Sequence, residues 1–231
     1  MMNFSYLSPK SFRYERKFLI SQLDRYQVES IIRCHPAMFS EIFHERCVNN
    51  IYFDTLNMDN YWDNEFGTSQ RVKTRIRWYG DLFGMLKEPV LQLKLKNGIV
   101  GSKISFPLNP FALDSSFSSR SLKTILKASE IPPLIEEELL SMQPTLLNHY
   151  SRKYFQSVDK RYRLTLDWDM EFYTIDHNIN NFNKKIRDFF YIVLELKYSD
   201  NDDDIADTIT NCFPFRISKS SKYVRGIDYL G

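Results

Sequence analysis

The segment Gln70-Arg71-Val72-Lys73-Thr74-Arg75-Ile76-Arg77-Trp78-Tyr79 constrains this chain more than any other. As a strand with a side-chain period of two, it places Arg71, Lys73, Arg75 and Arg77 on one face. Val72, Thr74, Ile76 and Trp78 fall on the other. Cations in file along one face repel one another, so that face must meet water or a countercharge.

The pattern recurs. Within residues 90–97, Gln92, Lys94 and Lys96 oppose Leu91, Leu93 and Leu95. Within residues 160–173, Arg161, Arg163, Thr165, Asp167 and Asp169 oppose Tyr162, Leu164, Leu166 and Trp168. Arg13, Glu15 and Lys17 alternate with Phe12, Tyr14 and Phe18, and Glu195 and Lys197 alternate with Leu194 and Leu196. Any one of these strands suits the solvated face of a sandwich. Together they concentrate cations on single faces of a chain that is nearly balanced, with 31 Lys and Arg against 29 Asp and Glu. A polyanion between the strands would remove the repulsion. A closed barrel with a polar, basic lumen and an apolar outer surface covered by helices satisfies both faces. Phosphates held there would meet Arg as a bidentate donor and Lys as a point charge.

Strand patterns cover residues 11–20, 46–54, 70–79, 90–97, 99–107, 146–157, 160–173 and 189–199. Lys96-Asn97-Gly98-Ile99 has the chemistry of a tight hairpin turn, and Ser157-Val158-Asp159-Lys160 that of a second reversal. Helices are expected between them. One is capped by Ser21 and runs to Cys34 before Pro36, and a short one is capped by Asp54 and runs through Trp62. A helical pair is expected at 119–129 and 134–142, and a further helix at 205–210 behind Asp202-Asp203-Asp204, whose charge suits a helix start. The 231 residues are expected to form a single domain, 1–231.

Other classes fit poorly. Cys34, Cys47 and Cys212 show no metal-ligand or disulfide spacing, which favours a reducing, cytoplasmic setting. The N-terminal stretch lacks the apolar core of a secretory signal, and the apolar run near 189–194 stops at Glu195. That run is far below the roughly 20 residues of a membrane span, so no transmembrane segment is expected, and a membrane-protein partner stays open. No GxxxxGK[ST] or GxGxxG segment is present. A net charge of +2, with aromatics on the opposite strand faces from the cations, argues against nucleic acid. His35, His44, His149 and His177 lack ligand spacing and are expected at the surface or in packing, and the three Trp residues in packing.

Read in order, Tyr14-Glu15-Arg16-Lys17-Phe18, Ile51-Tyr52-Phe53-Asp54-Thr55, Lys73-Thr74-Arg75-Ile76-Arg77-Trp78-Tyr79, Leu93-Lys94-Leu95-Lys96, Tyr150-Ser151-Arg152, Arg163-Leu164-Thr165-Leu166-Asp167, Glu195-Leu196-Lys197 and Ser220-Ser221-Lys222-Tyr223-Val224-Arg225-Gly226 resemble the VTC domain. That domain is the polyphosphate polymerase branch of the triphosphate tunnel metalloenzymes, also called CYTH-like. The resemblance implies an α+β fold, a closed eight-stranded antiparallel barrel with flanking helices. It also implies transfer of the terminal phosphate of ATP to polyphosphate, with a divalent metal, manganese or magnesium. By position, Lys17, Arg75, Arg77, Lys94, Arg152, Arg163 and Lys222 would bind phosphate, Tyr150 and Ser221 would add hydroxyl contacts, and Glu195 would hold the metal. The acceptor phosphate would be the nucleophile, so no catalytic side chain is expected to attack.

Two departures bear on the reaction. Hydrolytic relatives carry Glu-x-Glu-x-Lys on the first strand, whereas this chain reads Arg13-Tyr14-Glu15-Arg16-Lys17, and Gln92 stands where a Glu is common. Fewer carboxylates favour transfer or binding over hydrolysis. The alternatives are a tunnel phosphohydrolase of tripolyphosphate or a nucleoside triphosphate, and a non-catalytic polyphosphate or inositol-phosphate binding module. Asp167 and Asp169, on the face of Arg163, are expected either to bind metal or to pair with lumen cations.

Overall fold

The computed structural model describes residues 12–175 and 180–231, so Ser11 and His177 lie outside the described residues. The strands are β1 (Arg13–Ile20), β2 (Ser40–Asp54), β3 (Gln70–Tyr79), β4 (Gly84–Leu86), β5 (Val90–Asn97), β6 (Val100–Pro107), β7 (Phe111–Leu113), β8 (Gln143–Gln156), β9 (Arg163–Tyr173), β10 (Lys185–Asp188) and β11 (Ile192–Ser199). The helices are α1 (Arg25–Arg33), α2 (Asp59–Glu65), α3 (Ser119–Ala128), α4 (Pro133–Leu140), α5 (Asp203–Asn211) and α6 (Lys222–Leu230).

Eight strands form a ring of antiparallel pairs in the order β9-β11-β1-β6-β5-β3-β2-β8, and β8 returns to β9. β10 continues along β9 where β11 ends, and β4 and β7 pair separately. Period-two alternation decides which side chains enter the ring. The outward rows Ile51, Phe53, Ile76, Trp78, Leu91 and Leu93 pack with Leu122 and Leu126 of α3 and Ile135 and Leu139 of α4. On the other flank, Phe18, Leu164, Leu166, Leu194 and Leu196 pack with Val28 and Ile32 of α1 and Ala206 of α5. Each such burial is worth about 1.5–3 kcal/mol, so most of the core lies outside the barrel, and away from the end that α6 fills the inner rows are left to polar side chains.

One end of the ring is closed. Tyr223 and Leu230 of α6 pack on Tyr52, Leu146 and Phe172, which belong to the inward rows. Gly226 lets the helix seat, because a Cβ there would lie 2.5 Å from Leu146 Cδ2 and 2.6 Å from Phe172 Cδ1.

Several local expectations shift. The cap of α1 is Asp24, not Ser21. Its carboxylate accepts from the Gln27 amide while Gln27 Oε1 accepts from the Asp24 amide, a reciprocal pair that satisfies two helix-end groups. Asn97 pairs with Val100, so Gly98 and Ile99 make the hairpin turn, with Gly98 at φ +57. β2 and β8 begin earlier than their hydrophobic patterns, since they pair with each other beyond the core. The register between β8 and β9 shifts next to Asp169, which sits at φ +49 and is exposed. This bulge takes Asp169 off the face of Asp167. Trp62 is 48% exposed and stacks on Phe66, so it is not a core residue.

Candidate phosphate-binding tunnel

Inside the ring is a cavity of about 90 Å³ whose lining includes Lys17, Lys73, Arg75, Arg77, Lys94, Arg152, Lys197 and Lys222. It adjoins a groove of about 1080 Å³ that shares Lys17, Lys73, Lys94 and Ser221 with it and continues past Arg71, Lys96 and Lys219. Of the positions expected to bind phosphate, Lys17, Arg75, Arg77, Lys94, Arg152, Lys222, Tyr150 and Ser221 all line the cavity, as does Glu195. Arg163 does not. It lies opposite Lys197 on the adjacent strand, on the same inward row, but is exposed at the open end.

Carboxylates divide these cations into two sets. Glu195 Oε2 accepts from Lys197 Nζ at 2.8 Å and from Thr165 Oγ1 at 3.3 Å, and Lys17 and Arg152 approach the same carboxylate at 3.4 and 3.6 Å. Burial alone would push Glu195 upward, but Lys197, Lys17, Lys222 and Arg152 hold it well below the usual carboxylate range. Asp167, fully buried, takes Arg152 side-on and Lys222 at 2.5 Å. It therefore pairs with lumen cations. Glu15 joins Lys94 at 2.7 Å and Lys17 at 3.2 Å.

The inward row of β3 forms the second set. Lys73 Nζ donates to Ser221 Oγ at 2.8 Å, Arg75 donates twice to Gln92 Oε1, and Arg77 donates to Asn50 Oδ1 and the Tyr150 hydroxyl. Among the described residues no carboxylate pairs with any of the three. Burial, then repulsion from Lys17 and Lys94, pulls Lys73 well below a normal lysine, and burial with repulsion from Arg77 lowers Arg75. Burial, partly offset by Glu15, brings Lys94 down to about 8. Half-buried and buried cations held by neutral partners lack a countercharge, and an entering polyanion supplies it.

The family motifs do not mark Lys73, Lys197 or Lys103 as phosphate ligands. Lys73 and Lys197 line the cavity, and Lys103 lies opposite Lys94 on the same inward side. The period-two rule, applied without regard to motif, selects all three. Tyr52 and Tyr223 also line the cavity, so aromatic residues other than Tyr150 enter the lumen beside the cations.

Among the described residues, no group of three or more His, Cys, Asp or Glu side chains is placed to hold a metal. Glu15 and Glu195 nevertheless lie within 3.4 Å of one ammonium, Lys17. One or two carboxylates, with phosphate oxygens completing the shell, is how magnesium-type ions are held beside phosphates. The residues fit an ion that enters with the substrate.

The ring, its basic inner rows and its outer helical cover define a triphosphate-tunnel architecture. The VTC domain model matches residues 12–231, and the chain belongs to the VTC domain family. A search of curated proteins returns no match. Among solved structures, a Bacillus halodurans protein named as a candidate adenylate cyclase is 13% identical, with a TM-score of 0.54 over 94% of this chain and 98% of that one. A Pyrococcus horikoshii protein is 11% identical, with a TM-score of 0.51 over 94% and 99% of the two chains. A Hippeastrum candidate adenylyl cyclase, described as having a dominant triphosphatase activity, is 14% identical with a TM-score of 0.50 over 93% and 94%. These likenesses establish the fold. No helix among the described residues is long and apolar enough to cross a membrane.

Proposed function

We propose that this domain is a polyphosphate polymerase that moves the terminal phosphate of ATP onto a polyphosphate chain inside the tunnel. The observation that carries the reading is the row of half-buried Lys73 and Arg75 and buried Arg77, which among the described residues have no carboxylate partner. Three such charges in file, about 7 Å apart along the strand, can run beside an extended polyanion, whereas a single carboxylate would meet only one of them.

In this reading Lys17, Arg75, Arg77, Lys94, Arg152 and Lys222 grip donor and acceptor phosphates, Arg163 meets the chain at the open end, and Tyr150 and Ser221 add neutral contacts. A terminal oxygen of the acceptor forms a bond to the γ-phosphorus of ATP. The bond from that phosphorus to the β–γ bridging oxygen breaks, and ADP leaves with the electron pair. Phosphoryl transfer of this kind needs alignment and charge neutralisation more than a protein nucleophile. Glu195, assisted by Glu15, would hold a manganese or magnesium ion, which when bound neutralises charge on the phosphates. The scarcity of inward carboxylates, with Arg13 where hydrolytic relatives carry Glu and Gln92 where a Glu is common in the wider superfamily, favours transfer to a phosphate over activation of water.

Incubation of the purified protein with ATP and manganese, with products resolved as long chains, free phosphate and ADP, tests the proposal. Long polyphosphate with stoichiometric ADP is expected. Free phosphate without chains would identify a phosphohydrolase, and binding without turnover a non-catalytic module.

A further inference from the structure

Lys222 and Ser221 enter the cavity from the N-terminus of α6, not from a barrel strand, so their placement depends on how that helix is fastened. The fastening nearest to them is Asp54. Its carboxylate is fully buried at the end of β2, and Oδ1 accepts from the amides of Thr55 at 2.8 Å and Asn60 at 2.9 Å. Oδ2 accepts from the Tyr61 amide at 2.9 Å and from the hydroxyl of Tyr223 at 2.5 Å. The three amides explain Asp54 as an anchor for the start of α2. They do not explain the fourth donor, which comes from a helix 169 residues away in sequence.

Tyr223 follows Lys222 directly, and its ring stacks on Tyr52 with centroids 5.2 Å apart. With its hydroxyl fixed by Asp54 and its ring by Tyr52, the first turn of α6 has one rotational setting. In that setting the Lys222 ammonium lies 2.5 Å from Asp167 and over the Tyr150 ring at 4.8 Å, and the side chain is only 8% exposed. Ser221 caps the same turn by accepting from the Val224 amide while it receives Lys73. Thr145 Oγ1 also reaches the Tyr223 hydroxyl at 3.4 Å, and the bonds of Arg225 and Tyr229 to Asp188, of Tyr61 to Asp228 and of Lys184 to the Leu230 carbonyl lie further along the helix.

We infer that Asp54 and Tyr223 are positioning residues for the phosphate site, acting through the first turn of α6 to hold Lys222 against the bound anion. This rests on the anion-tunnel reading above but not on the polymerase reaction.

The test is a double-mutant cycle on the affinity of the full chain for inorganic tripolyphosphate, measured by titration calorimetry. Tyr223→Phe removes the hydroxyl and keeps the ring stacked on Tyr52. Lys222→Met removes the charge being positioned. Tyr223→Phe is expected to weaken binding about tenfold alone and by less than about twofold in the Lys222→Met background, because coupled residues do not add. Its effect on the melting temperature should be equal in the two backgrounds. Equal losses of affinity in both, or none in either, would overturn the coupling while leaving the tunnel reading intact. Absence of tripolyphosphate binding by the wild-type chain would remove both.

Discussion

Arg152 and Asp167 face each other across adjacent strands, with Nε donating to Oδ1 at 2.5 Å and Nη2 to Oδ2 at 2.6 Å. This side-on pair, completed by Lys222, is the most buried charge cluster of the tunnel. It fixes one Arg in the orientation that a phosphate would otherwise have to impose, so less rotamer freedom is lost when the anion arrives.

Asp167→Asn should destabilise the anion-free protein by about 3–5 kcal/mol, since Arg152 and Lys222 keep their charges without a counterion. Tripolyphosphate should restore much of that loss, giving a larger ligand-induced rise in melting temperature than in the wild type. Thermal unfolding with and without ligand measures both.

Lys94 gives the pH dependence. Its folded value of about 8 lies below the unfolded 10.5, so between these values the unfolded chain binds more protons than the folded one. Stability without ligand should therefore rise as pH climbs through this window, while tripolyphosphate affinity falls as Lys94 loses its charge. Denaturant midpoints and anion titrations from pH 7 to 10 would show the opposite trends, and Lys94→Met should reduce both, leaving the part that the lowered Lys73 contributes.

Glu195→Gln should lower ATP turnover on the order of a hundredfold or more, the scale of losing one electrostatic contact to the reacting phosphates. Tripolyphosphate affinity should be retained, because the change frees Lys17 and Lys197 from a competing carboxylate. Parallel turnover and binding assays decide it, and unchanged turnover would remove Glu195 as the metal ligand.

Gly226→Ala places a methyl group on Leu146 and Phe172, both fully buried. A cost of about 1–3 kcal/mol is expected from overpacking, with weaker tripolyphosphate binding as α6 is displaced. Chemical denaturation and calorimetry together would register it.

The ring strands and the character of the lumen were legible because a strand has a strict period of two. Arg75 and Arg77 can point inward only if Ile76 and Trp78 point outward, and the structure places them so. The sequence suggests Asp54 as a helix cap, but Met58 holds the cap position of α2, which starts at Asp59. Asp54 instead accepts from the amides of Asn60 and Tyr61, and its bond to Tyr223 was not legible. Asp169 shares the parity of Asp167 in sequence, and only the bulge beside it breaks that parity. The segment 220–226 could be matched as a motif without revealing that it starts a helix, since Ser220-Ser221-Lys222 carries no strong period.

The sequence by itself determined which side chains would share the inner face of each strand, because alternation is a local property of the backbone. Tertiary structure alone decided which of those charges are neutralised. Glu15, Asp167 and Glu195 take up Lys17, Lys94, Arg152, Lys197 and Lys222, whereas among the described residues Lys73, Arg75 and Arg77 receive only neutral partners. That division arises from the closure of the ring and the docking of α6, which join groups far apart in the chain, and Coulomb interactions depend on distance in space alone.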